Sequence, residues 1–261
     1  MTDSICRLLQ TLPLPEGYQL TEQGCYRYLL NGQQQAIAEP WVIALSPRGQ
    51  SLIHSARFID SQDTALLVAQ QQAQPLRTAL NSSAQGNFQC KILWRQVGQA
   101  DIRVQYQFRQ HNRLLQISRE DDAGLSNCQI HKAEPFLYFP LLRIFSGPVI
   151  RQLAWCGPLP TVVPDINTPT ARDALLQPTE ELRSAQLLAE EQLVLNGQSY
   201  QAQKYNYVSQ RYLPQDKAAF WIDHRGLLLK YGWQQSPEQC WLVELATHQL
   251  HAPNLYPMNH Q

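Results

Sequence analysis

The residues of this chain that could do chemistry are scattered, and their spacing seldom suits a reaction. Asp223 and His224 are adjacent and are the nearest thing to an acid–base pair. They stand in a short run that ends at Gly226, and Asp is common in turns because its side chain bonds the local backbone. Adjacent turn residues also point apart. We therefore predict a structural turn here rather than a catalytic pair.

The histidines do not show the spacing of a metal site. His111, His131 and His224 are far apart in the sequence, and no two of them are three or four residues apart on a predicted helix. His248 and His251 are three residues apart, but they are expected to form a surface pair beyond the last strand. The sequence therefore predicts no metal site.

Carboxylates and nucleophiles give no stronger signal. The acidic run at 120–122 precedes Gly124 and is typical of a solvated turn. Neither Ser146 nor Cys156 lies in a Gly-x-Ser-x-Gly arrangement, and Cys156 would need a histidine to approach it. None of the six cysteines has CxxC spacing. The sequence predicts no catalytic residue and no cofactor.

The composition argues against several classes of partner. Lys and Arg together number 21, as do Asp and Glu, so no basic excess indicates nucleic acid or anionic lipid. No run approaches the about 18 apolar residues of a membrane helix. The N-terminus lacks the basic and apolar segments of a secretory signal, so we predict a cytoplasmic protein with free thiols. Glutamine is abundant, in short runs such as 70–72, which we interpret as a habit of composition.

Aromatic residues are the one group that exceeds this background. They recur through the predicted strands: Tyr26, Tyr28, Trp41, Trp94, Tyr106, Phe108, Tyr205, Tyr207, Phe220, Trp221, Tyr231, Trp233 and Trp241. Core packing explains most of the set. An apolar pocket inside a curved sheet would explain the excess of Tyr and Trp, whose polar tips need partners. Both interpretations stay open at this point.

If there is a pocket, the sequence predicts its lining. We expect the ligand to contact Trp41, Tyr106, Phe108, Phe136, Leu141, Arg143, Phe220 and Trp221. Four arginines would then either meet a ligand head group at the rim or extend along the apolar surface to water: Arg57, Arg103, Arg109 and Arg143.

The elements that would hold these residues are mainly strands. Residues 101–109 alternate apolar and polar side chains, which predicts a strand with one buried face. Asn31-Gly32 and Asn196-Gly197 each predict a hairpin, because both residue types tolerate positive φ. The two hairpin sequences are similar, and an internal repeat and chance both remain open explanations.

Helices are predicted in fewer places. Residues 3–12 and 179–188 have helical spacing, and 137–153 would hold a helical turn or two broken at Gly147-Pro148. Prolines are dense from 134 to 183. We therefore predict that residues 134–190 form an ordered, lid-like excursion over one end of the sheet.

The last quarter of the chain resembles bacterial lipoprotein-carrier-like proteins. These include the LolA and LolB carriers and uncharacterised families, some of them described as glycolipid-binding. The resemblance is carried by Asn196, Gly197, Gln198, Tyr200, Tyr205, Phe220, Trp221, Ile222, Asp223, Gly226 and Leu229. It implies a half-open barrel of about eleven antiparallel strands around a helical lid, with a concave face that takes an apolar ligand.

Together these observations predict a mainly β fold, a curved antiparallel sheet or half-open β-barrel with a few helices packed against it. Residues 1–261 are expected to form a single domain. The predicted function is non-catalytic binding of a lipid-like or other apolar small molecule. An enzyme acting on an apolar substrate, or an interaction module that uses the proline-rich segment, are the alternatives. The sequence indicates neither the ligand nor the oligomeric state.

Overall fold

Antiparallel strands make up most of this protein. The computed structural model describes residues 13–58, 65–73, 86–166, 172–209 and 218–251, so the predicted helix at 3–12 lies outside the described residues. The first five strands are β1 (Gln19–Leu30), β2 (Gln33–Leu45), β3 (Ser51–Phe58), β4 (Ala65–Ala73) and β5 (Phe88–Gln96). The next four are β6 (Ile102–Arg109), β7 (Leu114–Asp121), β8 (Gly124–His131) and the short β9 (Leu137–Tyr138).

A single α-helix stands in the described part of the chain, α1 (Ser146–Cys156), directly after a 3-10 turn at Arg143–Phe145. The sheet then resumes with β10 (Leu159–Pro164), β11 (Pro178–Leu195), β12 (Gln198–Ser209), β13 (Ala219–Ile222), β14 (Leu228–Ser236) and β15 (Gln239–Leu250). Shorter 3-10 turns lie at Gln110–Asn112 and Arg172–Ala174. None of the described helices is long and apolar enough to cross a membrane.

The described strands form one curved sheet in which the first and last strands are neighbours. Its order runs from β8 back to β1, then β15 back to β9. Neighbouring strands are antiparallel, except that β9 runs parallel to β10. The N-terminal half (β1–β8) and the C-terminal half (β9–β15) therefore meet where β1 pairs with β15. The predicted curved antiparallel sheet is confirmed.

Both predicted Asn-Gly hairpins are confirmed. Asn31 and Gly32 have φ of 50° and 78°, and Asn196 and Gly197 have φ of 52° and 77°. Two consecutive positive φ values define the tight turn that matches strand twist. The Asn196 amide also donates to the carbonyl of Leu245 at 2.9 Å, which fastens the tip of one hairpin to β15.

Alternation within β6 divides the sheet into two faces. Ile102, Val104, Tyr106 and Phe108 are buried, whereas the residues between them are half-buried or exposed, as the sequence predicts. We call the face that carries these four side chains and the main core the inner face, and the opposite one the outer face. One buried apolar cluster on the inner face draws residues from both halves of the sheet.

The predicted helix at 179–188 is wrong, because these residues belong to strand β11. Arg183 pairs with Leu159 of β10 on one side and with Ser209 of β12 on the other. The residues have good intrinsic helix propensity, but two neighbouring strands satisfy the backbone along this stretch, and tertiary context overrides propensity. The predicted excursion at 134–190 therefore includes β9, β10 and part of β11 as strands of the sheet.

The expected break at Gly147-Pro148 is also wrong, because α1 begins there. Proline is tolerated in the first turn of a helix, where its missing N–H has no intrahelical partner. Gly147 lies so close to the turn at Gly226 that a Cβ on it would stand 1.9 Å from the Gly226 carbonyl oxygen. The start of α1 thus packs backbone against backbone on the β13–β14 turn.

The edges of the two halves are joined through side chains and a loop. Tyr106 donates its hydroxyl to the Leu176 carbonyl at 2.5 Å, and Arg119 bonds the carbonyls of Leu175 and Arg172. Lys132 forms an ion pair with Glu180. The loop after Arg172–Ala174 therefore ties β6, β7 and the end of β8 to the C-terminal half.

Candidate ligand site

The inner face of the sheet is covered by residues 136–156, which we call the covering segment. Phe136, Leu142, Ile150 and Leu153 of this segment are buried in the same cluster as the strands. The covering segment contains β9, the 3-10 turn at Arg143–Phe145 and α1.

At one end of strands β5 and β6 the covering segment meets a group of aromatic rings. Tyr138 stacks on Phe88 with ring centroids 5.0 Å apart and lies 4.9 Å from Tyr106. Phe136 meets Phe108 edge to face at 4.9 Å. Rings from the sheet and rings from the covering segment therefore alternate, and each such contact adds about 0.5–1.5 kcal/mol beyond area burial.

A buried polar cluster anchors the middle of the covering segment. Glu39, on β2, accepts a hydrogen bond from the Tyr28 hydroxyl at 2.5 Å and another from the backbone N–H of Arg143. Arg57 donates to the Tyr28 hydroxyl at 2.9 Å and lies 3.5 Å from Glu39. The Arg143 guanidinium stacks 4.5 Å from the centroid of the Tyr231 ring.

The ionisation of this polar cluster is fixed by burial and by its own charges. Burial raises the pKa of Tyr28 to about 12, against the opposing effect of Arg57. Burial disfavours the charge of Arg143, but the oxygens of Tyr28, Tyr231 and Glu39 outweigh it and raise the pKa of this guanidinium. Tyr28 therefore stays protonated and Arg143 stays charged at neutral pH.

Two polar atoms of the covering segment are buried without a hydrogen-bond partner among the described residues. They are Nε of Arg143 and Oγ of Ser146. Ser146 is 1% exposed and begins α1, which has neither a side-chain cap nor an acidic residue in its first turn. Buried polar groups are almost always satisfied, so these two donors, three residues apart in the chain, are candidates to pair with an acceptor that the protein does not supply.

The structure divides the eight predicted lining residues between several places. Tyr106, Phe108 and Phe136 lie in the aromatic group described above. Arg143 belongs to the polar cluster, and Phe220 stacks on Tyr231 at 4.3 Å beside it. These five residues all face the junction between the sheet and the covering segment.

The other three predicted residues lie elsewhere or contribute differently. Trp41 is fully buried on the inner face, 6.2 Å from the Tyr26 ring and in contact distance of Gly24. Leu141 is half-buried with φ of 67°, an uncommon conformation for a branched side chain. Trp221 lies on the outer face, where Lys204 and Lys230 each stand 5.0 Å from its ring. Trp221 therefore does not share a site with Phe220.

The sequence interpretation missed the residues that organise the junction. Glu39, Tyr28 and Ser146 were not predicted to meet Arg143. Glu39 carried a usable signal, because it is a carboxylate within a β-rich run and the next acidic residue in the chain is Asp60. A charged residue inside a strand predicts either an outward side chain or a buried partner, and the sequence alone does not show which.

The other candidate groups form structural contacts. Asp223 makes the predicted turn, accepting the N–H of Arg225 at 2.9 Å and of Leu227 at 2.8 Å. His248 lies within β15, not beyond it, and its ring contacts Glu22 at 3.1 Å. No group of three His, Cys, Asp or Glu residues comes together in the part of the chain that the structure describes.

Comparison with known proteins bears on the fold alone. No protein-family model matches the chain, and no curated protein matches it. A β-barrel-like protein of the domain of unknown function DUF1849 from Brucella abortus is similar, with a TM-score of 0.50 at 8% identity over 89% of this chain and 98% of that one. A "putative lipoprotein" from Parabacteroides distasonis has a TM-score of 0.35 at 7% identity over 88% and 96% of the two chains. The first likeness shows a shared barrel-like sheet.

Proposed function

We propose that this protein binds a lipid-like or other apolar small molecule between the inner face and the covering segment and does not catalyse a reaction on it. The observation that carries the proposal is a pair of buried donors that have no partner among the described residues, Arg143 Nε and Ser146 Oγ, in a segment that packs on an apolar and aromatic core. A ligand with an apolar chain and a hydrogen-bond acceptor at one end would pack its chain against the aromatic rings and accept hydrogen bonds from the two donors.

The way in which the interior is closed supports the same function. The barrel is half-open, and a separate segment fills its inner face through ring contacts with Phe88, Tyr106 and Phe108. An apolar chain that enters here would replace these ring contacts with apolar contacts of its own and break no strand pairing. Binding sites of this kind are apolar with a few convergent polar groups.

The proposal extends to the related proteins and to the cellular setting. We infer a functional relation to the lipoprotein-carrier-like proteins, supported by the half-open sheet and the covering segment. We also infer a reducing, cytoplasmic setting, supported by the free thiols of Cys25, Cys90, Cys128, Cys156 and Cys240.

Titration with cis-parinaric acid, a fluorescent fatty acid, tests the proposed function. We expect saturable binding of one molecule per chain. Ser146→Ala removes one of the two donors and should weaken binding roughly fivefold, the effect of losing about 1 kcal/mol of hydrogen bonding. Because Ser146 has no partner to lose among the described residues, its replacement should not lower the melting temperature.

Ser55→Ala is the matched control. Ser55 is also a buried serine, but it donates to the Pro40 carbonyl at 3.0 Å. Its replacement should lower the melting temperature and leave the affinity for cis-parinaric acid unchanged. Absence of saturable binding to the wild-type protein, or equal affinities for wild type and Ser146→Ala, would contradict the proposed function.

A further inference from the structure

The outer face of strands β4 to β8 carries a feature that the proposed function does not use. Strand register places five glutamines directly opposite one another on five successive strands. The pairs are Gln72 with Gln89, Gln89 with Gln107, Gln107 with Gln116, and Gln116 with Gln129. We call these five residues the glutamine row. Neighbouring strands lie about 4.8 Å apart, so the row extends for about 19 Å across the sheet.

A second polar row runs beside the first. Two residues along each strand, and so on the same face, the aligned residues are Gln70, Lys91, Gln105, Ser118 and Asn127. The two rows are about 6.6 Å apart along the strands. Polar side chains, most of them amides, therefore form two adjacent rows over this part of the outer face.

The amides of the glutamine row are largely available for a ligand. Gln72 donates to the Tyr18 hydroxyl, but the side chains of Gln89, Gln107, Gln116 and Gln129 make no hydrogen bond to any other described residue. The first three of these four are nevertheless half-buried. They are thus partly withdrawn from water without being paired to one another.

Two cavities open along the same row and share Gln107. One has a volume of about 310 Å³ and is lined by Gln50, Gln72, Ala73, Asn87, Phe88, Gln89, Gln107, Phe108, Arg109 and His111. The other, of about 330 Å³, is lined by Gln105, Gln107, Gln116, Ile117, Ser118, Asn127, Cys128 and Gln129. Neither lining contains a carboxylate. Each volume is at the lower end of the range for small-molecule sites.

We infer that the glutamine row is a binding site for a linear carbohydrate chain that lies across strands β4 to β8. Each amide offers both donors and an acceptor without charge, which is the complement of a hydroxyl group that also does both. A row of equally spaced amides suits a ligand whose hydroxyl groups recur along its length. An apolar ligand would leave the amides unsatisfied, and the lining of neither cavity contains an acidic side chain to hold a basic peptide or a metal ion.

Linear hexasaccharides test this inference directly. The probes are cellohexaose, maltohexaose, mannohexaose and hexagalacturonate, each titrated by calorimetry and by the side-chain N–H resonances of glutamine in nitrogen-15 spectra. We expect at least one of them to bind at one site per chain and to shift several glutamine side-chain resonances. Gln107→Leu, at the junction of the two cavities, should weaken that binding roughly tenfold.

Two further variants keep the test decisive. Gln192→Leu is the control, because Gln192 is an exposed glutamine of β11 that pairs with Gln201 outside the glutamine row, and binding should not change. Gln116→Leu replaces Gln107→Leu if the latter does not fold. The inference fails if none of the four probes binds at millimolar concentration, or if Gln107→Leu binds as wild type does. It also fails if the face instead holds a second copy of the chain, seen as a dimer that Gln107→Leu disperses. None of these results would alter the binding of cis-parinaric acid between the inner face and the covering segment.

Discussion

The two faces of strands β4 to β8 differ in chemistry although they are made from the same residues in turn. On β6, Tyr106 and Phe108 pack against rings of the covering segment, whereas Gln105 and Gln107 belong to the two polar rows of the outer face. Strand alternation allows this division without any insertion or extra domain. The inner face is suited to an apolar ligand and the outer face to a hydroxylated one, so a change on one face should leave the other nearly untouched.

The largest effect is expected at Glu39, which holds the covering segment to the inner face. Glu39→Gln leaves the Arg57 guanidinium buried without its carboxylate, and breaking a buried pair in this way costs about 3–5 kcal/mol. Urea unfolding monitored by tryptophan fluorescence measures the loss. Glu244→Gln is the control, because Glu244 pairs with the partly exposed Arg27 and should cost no more than about 1 kcal/mol. Equal losses would show that the polar cluster does not anchor the segment.

The start of α1 provides the next test of how closely the covering segment is fitted. Gly147→Ala places a methyl group against the Gly226 carbonyl, and neither backbone can move away easily. We expect a loss of at least about 2 kcal/mol in the free energy of unfolding, as for other cases of overpacking. Gly86→Ala, where a Cβ meets nothing within 4 Å, should be close to neutral. A neutral Gly147→Ala would mean that the covering segment sits loosely on the inner face.

Part of the outer face is buried, and the stability of the protein should depend on pH because of a histidine in that part. Burial lowers the pKa of His54 to about 4, and a small apolar cluster of Ala56, Leu66, Val68 and Leu93 is buried nearby on β3 to β5. The folded protein prefers neutral His54, so its contribution to stability is complete above pH 6.5 and is lost as the pH falls towards 4. The loss at pH 5 should be about 2 kcal/mol.

Unfolding in urea at pH 7.5 and pH 5 measures this change. In His54→Gln the difference between the two pH values should shrink by the same amount. If the variant keeps the pH dependence of the wild-type protein, burial of His54 is not the cause of that dependence, and this histidine can be protonated in the folded protein.

The smallest changes in stability are expected at two adjacent residues of β6 whose side chains point to opposite faces. Tyr106→Phe removes the hydrogen bond to the Leu176 carbonyl and should cost about 1–2 kcal/mol, whereas Gln107→Leu should change the free energy of unfolding by less than about 0.5 kcal/mol. Thermal and urea unfolding of the two variants give the comparison. A large loss for Gln107→Leu would indicate that the glutamine row supports the fold rather than a ligand.

Local features of the fold were predictable from the sequence. The Asn-Gly hairpins and the alternation of β6 depend on residues close together in the chain, and both are confirmed. The N-terminal part of strand β11 was not predictable, because the partners of Arg183 there, Leu159 of β10 and Ser209 of β12, are 24 and 26 positions away in the chain. Local propensity favoured a helix there and was overridden.

The candidate sites show the same limit more sharply. Five of the eight predicted lining residues face the junction with the covering segment. Tyr106, Phe108 and Phe220 do so because aromatic residues at alternate positions of a strand point to the same face, whereas Phe136 and Arg143 belong to the covering segment itself. Glu39 and Arg143 are 104 positions apart in sequence, and nothing local brings them together. The glutamine row was visible only as a high glutamine content, since the alignment of five residues depends on the register of four strand pairs.

The position of a bound ligand tests the central claim most directly. Crystals grown with 12-bromododecanoic acid would locate its bromine by anomalous scattering. We expect the carboxylate beside Arg143 Nε and Ser146 Oγ, and the bromine among the rings of Phe88, Tyr106 and Phe108, with the covering segment moved away from the inner face. Bromine density over the glutamine row, or no bound molecule at a saturating concentration, would contradict the assignment of the inner face to an apolar ligand.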